Sequence, residues 1–541
     1  MKKHILLILI LGAATILRFC QLSYFPAGLN ADEAALGYNA YSLLLTGKDE
    51  HGNILPVNLE SFADYKPALY SYLLVPVVKI FGLTEIAVRL PSAIFGVLSV
   101  YLIYVFALRA MNSKLLAIYS SLILAISPWH IHYSRGAWEV NVATTLILLG
   151  IIFFIKWTKE TKFSNFALCI LNFSLSMYTY QSARILAPVL GITLALIFKD
   201  LFIKNIRQSI YGFILLLLVL SPLIFSLFFT PAASRAGGVG LLADEGPLNF
   251  VKELRGHYPS SISVLGKILH NRPVIYSIQF AKNYLSHFDG NFLFVNGDEI
   301  QRNRVPETGL LYFTDIILLI FGFIYLATSY KLQAIRLILL WLFVSPLASA
   351  LTFQVPHALR AQNMIIPLTI ISAAGIVQLL KSFNSLRFKS ICYILLAICY
   401  FWQFGRYLHQ YYVHYPQTYP VAWEYGFKDM VTYVKDNEQR YKRVLITTKY
   451  DQPYILFLFY SHYPPAKFQP DHHLTFRDKF NFSTVNQFDK YSFTDTNWEK
   501  VRDEHGSLII AAADDLPEVG VNIVTTINFP NGDPAFKIVS N

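Results

Sequence analysis

Eleven apolar runs decide what this chain can fold into, near 4–19, 88–108, 115–130, 139–156, 165–181, 184–199, 210–229, 309–329, 336–353, 360–380 and 390–405. In hydrocarbon such segments satisfy their backbone N–H and C=O groups only as helices or closed barrels, and roughly 20 residues of helix cross it. Composition agrees with helices. The 541 residues are 54% hydrophobic and only 15% charged, with a mean hydropathy of +0.43, whereas soluble chains carry about 25% charged residues. Disorder, collagen and a disulfide scaffold are excluded by the apolar content and by a count of only 4 Cys. The expected fold is a polytopic α-helical membrane protein of about 11 spans.

The first run follows Lys2 and Lys3 and ends in Leu17-Arg18-Phe19-Cys20. Large residues stand where a signal-peptide cleavage site needs small ones, so it reads as a spanning helix. A further run, 68–81, holds Pro76 and Lys79 and covers about 14 residues, a length that suits an interfacial helix better than a span. The positive-inside rule tests that choice. Without 68–81 as a span, 15 basic residues fall on six short inner segments, from Lys2 and Lys3 through Arg109, Lys156, Lys199 and Lys331 to Lys389. With it as a span, most of them move outside. The expected topology is therefore a multi-pass plasma-membrane protein with a cytoplasmic N-terminus.

Three segments then face outward: a loop at 20–87 holding the juxtamembrane helix 68–81, a loop at 230–308, and everything after 406. The last, 407–541, carries 13 Lys+Arg against 16 Asp+Glu, a net of −3, and leaves +14 on the membrane domain, residues 1–406. Its alternating apolar runs near 444–448, 508–512 and 521–527 predict a small extracytoplasmic α/β domain. The basic excess thus belongs to the apolar portion, which excludes nucleic acid as a partner, since a nucleic-acid domain is polar as well as basic. Membrane lipids are the implied surroundings.

The polar residues on the outward side are the candidates for chemistry. In the first loop, Asp32 and Glu33 follow Asn30. They read either as acids in the first turn of a capped helix or as a general base or metal ligand. Asp64, Tyr65 and Lys66 precede Pro67, which suits the first position of the 68–81 helix. Lys66 reads as an interfacial cation or as a phosphate contact. Each short outer loop keeps one arginine: Arg135, Arg184 and Arg360. Three such residues, on the side where topology disfavours them, point to a shared anionic ligand that guanidinium groups bind bidentately. Glu139 stands four residues after Arg135 and reads as its ion-pair partner or as a second acid. The 230–308 loop adds His287, Arg302 and Arg304 as substrate contacts; its histidines lack metal-ligand spacing.

In their order, these residues resemble those of the polyprenyl-phosphate-sugar-dependent membrane glycosyltransferases with the C-type fold, in particular the bacterial protein O-mannosyltransferase and lipid A aminoarabinose transferase group. The carriers are Asp32-Glu33, Tyr65-Lys66-Pro67, Val88-Arg89-Leu90-Pro91-Ser92-Ala93, Ser134-Arg135 with Glu139, and Ala358-Leu359-Arg360. The resemblance implies Asp32 as catalytic base with Glu33 as its neighbour, Glu139 as the acid of the second outer loop, and Lys66 on the donor phosphate. It implies a polyprenyl-phosphate sugar as donor and a protein, lipid or glycan hydroxyl as acceptor, with inversion at the sugar carbon. The aminoarabinose transferases have Glu-Lys-Pro-Pro where Tyr65-Lys66-Pro67-Ala68 stands here. No metal or cofactor is therefore assigned, although Asp64 is one position away and a divalent metal is compatible with the resemblance. The rival class is a lipid or solute transporter, which would place its polar residues in broken helices at the midplane rather than in outer loops.

Overall fold

The computed structural model describes residues 2–62, 64–258, 264–329, 332–478, 483–517 and 520–540. Lys331, one of the residues used for topology, lies outside them.

Every one of the expected apolar runs is helical. Among the described residues, six helices are long and apolar enough to cross a membrane: Glu85–Met111, Glu139–Glu160, Ile206–Phe229, Gln333–Ala350, Gln362–Lys381 and Leu386–Thr418. The pair Lys114–Ile126 and Pro128–Arg135, bent by 56° at Ser127, makes a seventh if it is taken as one span. Ile5–Phe19, Ala183–Ile197 and Phe313–Thr328 are shorter apolar helices, so the length test supports six or seven spans rather than eleven. The 68–81 run is the short helix Leu69–Phe81. Pro67 does not open it but closes a strand.

The chain divides into two compact units. The first comprises Met1–Ala14, Val97–His132 and Ala143–Gly405 and is helical. Its tightest packing joins Phe313–Ser329 to Ile365–Lys381. A Cβ on Gly322 would lie 1.9 Å from the Ile371 carbonyl oxygen, and one on Gly375 would lie 1.9 Å from that of Leu318. Small residues let helix backbones approach where lipid supplies no hydrophobic drive between them.

The second unit comprises Thr15–Gly96, Tyr133–Val142 and Arg406–Asn541. The segment after 406 forms a mixed seven-stranded sheet of β3 (Arg443–Thr447), β4 (His473–Leu474), β5 (Val485–Phe488), β6 (Tyr491–Thr494), β7 (Ser507–Ala512), β8 (Ile523–Asn528) and β9 (Pro534–Ser540). Its order is β4-β5-β6-β3-β7-β9-β8, with β3 parallel to both β6 and β7 and the outer pairs antiparallel. The interior strand β7 is buried along its whole length, as a strand covered on both faces must be. The segment 20–87 belongs to this same unit. It contains helix Ala31–Thr46 and the hairpin of β1 (Asn58–Ser61) and β2 (Asp64–Pro67). Gln469 ties the helix down, its amide donating to Ser42 Oγ, Thr46 Oγ1 and the Asp49 carbonyl. The Tyr38 hydroxyl donates to the Tyr463 carbonyl at 3.0 Å.

Replacing Gly375 by valine is expected to push the 313–329 and 365–381 helices apart and to destabilise the first unit by about 1–3 kcal/mol, the usual cost of overpacking. Thermal unfolding in detergent measures this as a lowered midpoint.

Candidate active site

Helix Ala31–Thr46 begins as its sequence dictates. The Asn30 side chain accepts the Glu33 N–H at 3.0 Å, and the two acids occupy the first turn, where the helix dipole favours them. Being adjacent, they point in different directions and meet different partners.

Glu33 is only 1% exposed and is fully engaged. Arg89 grips it with two bonds of 3.0 Å, Nε to Oε1 and Nη2 to Oε2, and the Ala137 N–H donates to Oε1 at 2.7 Å. Arg89 itself is wholly buried on helix Glu85–Met111 and also donates to the carbonyls of Leu22, Pro26 and Gly28. An arginine inside an apolar run requires a counter-ion, so Arg89 was visible in the sequence as a buried cation in need of an acid. Its assignment to Glu33 was not visible there.

Asp32 has a different setting. A third of its side chain is exposed, and its Oδ1 lies 2.7 Å from Lys66 Nζ. Lys66 is brought there by the β1–β2 hairpin, in register with Leu59. Its ammonium is buried and sits 4.0 Å from the centre of the Phe62 ring. The reading of Lys66 as a snorkelling cation thus gives way to a buried ion pair. Glu139, at the first turn of helix Glu139–Glu160, is buried and interacts electrostatically with Asp32, Lys66 and Glu33. The structure therefore brings together Asp32, Lys66 and Glu139, two carboxylates and an ammonium.

Tyr65, next to Lys66 on β2 and so on the opposite face of the strand, is buried opposite Glu60 and interacts with Glu60 and Arg477; burial raises its phenol above the ordinary value. Asp64 accepts the neighbouring Tyr65 N–H at 2.7 Å. Among the described residues, no group of three or more His, Cys, Asp or Glu has the geometry to hold a metal.

Arg135 has no exposure. Its guanidinium donates to the carbonyls of Leu17 and Cys20 at 2.8 Å, to that of Phe25 at 3.1 Å and to the Tyr411 hydroxyl at 3.2 Å. Tyr411 and Tyr412 cover it. The expected phosphate contact is here a brace for the chain after the first helix, because its donors already meet chain acceptors. Tyr411 gave no signal in the sequence.

The remaining candidates lie in the first unit. The Arg184 guanidinium donates to the Met177 carbonyl and to Gln181 Oε1. Arg302 lends its carbonyl to His132 Nε2 at 2.9 Å, and both Arg302 and Arg304 are half-buried. His287 is buried: Nδ1–H donates to the Asn283 carbonyl, so Nε2 accepts from the Ser349 hydroxyl at 2.7 Å. Burial pushes it down to about 4, which keeps it a neutral structural group. Arg360 is half-buried on the loop before helix Ile365–Lys381. Among the described residues its hydrogen bonds run from Nη1 alone, to Thr352 Oγ1 at 2.6 Å and to the Gln354 carbonyl. Burial holds this guanidinium below its usual value. Its loop is fastened by Asp298, which accepts the Ala358 N–H at 2.6 Å and lies 3.4 Å from His357 Nδ1. The fastening role of Asp298 was not foreseen.

Residues 65–225 match the model of the dolichyl-phosphate-mannose-protein mannosyltransferase family. Among solved structures the fold matches ArnT from Cupriavidus metallidurans in the apo state, with a TM-score of 0.53 at 11% identity over 98% of this chain and 97% of that one. It also matches ArnT bound to undecaprenyl phosphate, with a TM-score of 0.54 at 11% identity and the same coverage. The resemblance read from the sequence holds. The matched family segment takes in Tyr65, Lys66, Arg89, Arg135, Glu139 and Arg184. A third match is the Archaeoglobus fulgidus oligosaccharyltransferase in complex with zinc and sulfate, with a TM-score of 0.53 at 12% identity over 84% of this chain and 61% of that one. No curated protein matches this chain in sequence.

Glu33→Gln is expected to leave Arg89 without a compensating charge and to destabilise the second unit by about 3–5 kcal/mol, the usual cost of breaking a buried pair. Arg89→Lys should cost nearly as much, because an ammonium cannot reproduce a planar fork that serves several acceptors. Thermal unfolding of both variants checks this.

Proposed function

We propose that this protein is a glycosyltransferase that takes a sugar from a polyprenyl-phosphate donor and passes it to a hydroxyl of a protein, lipid or glycan at the outer face of the membrane. The observation that carries the reading is the Asp32–Lys66 pair. It places a partly exposed carboxylate 2.7 Å from an ammonium, on a chain whose fold matches ArnT and whose 65–225 segment matches the mannosyltransferase family.

In this mechanism Asp32 accepts the proton of the acceptor hydroxyl as that oxygen attacks C1 of the sugar. A carboxylate within hydrogen-bond reach of the nucleophile is the arrangement general-base catalysis requires. The bond from C1 to the phosphate oxygen breaks, and the polyprenyl phosphate leaves with the electron pair. Lys66 stabilises the charge that grows on that oxygen, which takes it from its partner Asp32 to the donor. Glu139 orients the acceptor. Glu33 is not the base, since Arg89 and the Ala137 N–H hold both its oxygens. In the first unit, Arg360 is the candidate anion contact, because its Nε and Nη2 have no hydrogen bond among the described residues. The orientation that goes with this reading has a cytoplasmic N-terminus and an extracytoplasmic sheet domain.

A single displacement inverts the anomeric carbon, so NMR of the product of purified protein with a polyprenyl-phosphate sugar should show the configuration opposite to the donor's. Retention would overturn the mechanism. Lys66→Met should lower kcat/KM for the donor about 10- to 100-fold, the equivalent of losing a hydrogen bond to a charged group.

A further inference from the structure

Between helices Ile206–Phe229 and Phe313–Ser329, the helices Val264–Leu269 and Arg272–Ser286 turn apolar residues outward. A helix on the surface of a soluble unit buries its apolar stripe and exposes polar residues. Helix Arg272–Ser286 does the reverse. Val274, Ile278, Ala281 and Leu285 are all exposed or half-exposed, and their i, i+4, i+7, i+11 spacing puts them on one helical face. Ile278 is 45% and Leu285 is 65% exposed. The inward side carries Asn283, whose amide donates to the Ala350 and Thr352 carbonyls. The preceding short helix, Val264–Leu269, continues the pattern: Val264, Leu265 and Ile268 are exposed by 71%, 59% and 61%. Exposed apolar surface on this scale marks an interaction site.

Charge identifies what covers it. Four exposed cations, Lys252, Lys267, Arg272 and Lys282, lie among these apolar positions. From 246 to 286 the only acid is Glu253. An apolar face with interleaved cations is the pattern of a helix lying in a membrane–water interface that carries anionic lipid. Both ends of the loop run into apolar helices of the membrane domain, Ile206–Phe229 and Phe313–Thr328.

We propose that helices Gly246–Gly256, Val264–Leu269 and Arg272–Ser286 lie in the membrane interface, with their exposed apolar residues among the acyl chains of one leaflet and their four cations on anionic lipid headgroups. The proposal rests on the membrane-spanning fold and not on the transfer reaction. It has a structural consequence. Asn283 is bonded to the Ala350 and Thr352 carbonyls, His287 to Ser349, and Thr352 Oγ1 to Arg360. The seating of this helix in the interface therefore sets the depth of the Arg360 loop.

The test uses the full chain in vesicles of phosphatidylcholine with and without phosphatidylglycerol. A fluorescent label is placed at Ile278→Cys, and in a control at Asn531→Cys, in the exposed turn between β8 and β9 outside this segment, after replacement of the four native cysteines. The Ile278 label should be quenched by nitroxides on lipid chains and be several-fold less accessible to aqueous iodide than the control. Changing Lys252, Lys267, Arg272 and Lys282 to Gln should weaken the lipid quenching only where phosphatidylglycerol is present. Iodide quenching equal to the control would overturn the proposal, and so would a label shielded from both quenchers, which would put a protein on this face. If cysteine replacement disturbs folding, a benzoylphenylalanine photo-cross-linker at Ile278 in the otherwise unchanged chain gives the same decision. Lipid adducts support the proposal, and protein adducts alone contradict it.

Discussion

The second unit depends on one buried ion pair. Arg89 holds Glu33 through two parallel bonds and the carbonyls of Leu22, Pro26 and Gly28 through the rest of its guanidinium. Removing two charges from water is costly, and attraction offsets the cost only when geometry is good and the remaining donors and acceptors are satisfied. Here the planar fork is used on both sides. The pair joins the start of helix Ala31–Thr46 to helix Glu85–Met111 and to the chain that leads in from the first helix. Because Glu33 is fixed, its neighbour Asp32 is turned the other way, to Lys66 and to partial exposure. Arg135 does similar work nearby for the carbonyls of Leu17, Cys20 and Phe25.

The sequence made the helical membrane domain legible because apolar runs admit few alternatives. Each run became a helix, and the short one at 68–81 remained short. The number of spans was less legible: runs such as 184–199 and 309–329 gave helices below the length of a full crossing. Composition located the sheet domain after 406, since strand runs alternate with turn residues there. It could not reveal that segment 20–87 folds into the same compact unit. That union rests on contacts such as Gln469 with Ser42 and Tyr38 with Tyr463, more than four hundred residues apart in the chain, and local patterns do not encode pairings at that separation.

For the site, residue type was a better guide than residue role. Asp32 and Glu33 stood out together, and which of them pairs with Arg89 and which with Lys66 is seen only in the structure. The three outer arginines looked equivalent in sequence. In the structure Arg135 is a brace wrapped in carbonyls and tyrosines, Arg184 bonds to its own preceding turn, and Arg360 bonds, among the described residues, through Nη1 alone. A cation in a loop reads the same from sequence whether its partners are backbone carbonyls or a ligand, because carbonyl acceptors leave no signature in side-chain identity.

The central claim is that Asp32, and not the adjacent Glu33, takes the proton in a transfer from a lipid-linked sugar. The most direct measurement is the rate of transfer by purified Asp32→Asn protein, with folding verified by its unfolding temperature. The account predicts a fall of about 100- to 10,000-fold, the usual contribution of a general base, in a protein that still folds with its Glu33–Arg89 pair, at an unfolding temperature lowered by the lost charge opposite Lys66. A folded Asp32→Asn protein that transfers sugar at the wild-type rate would contradict it.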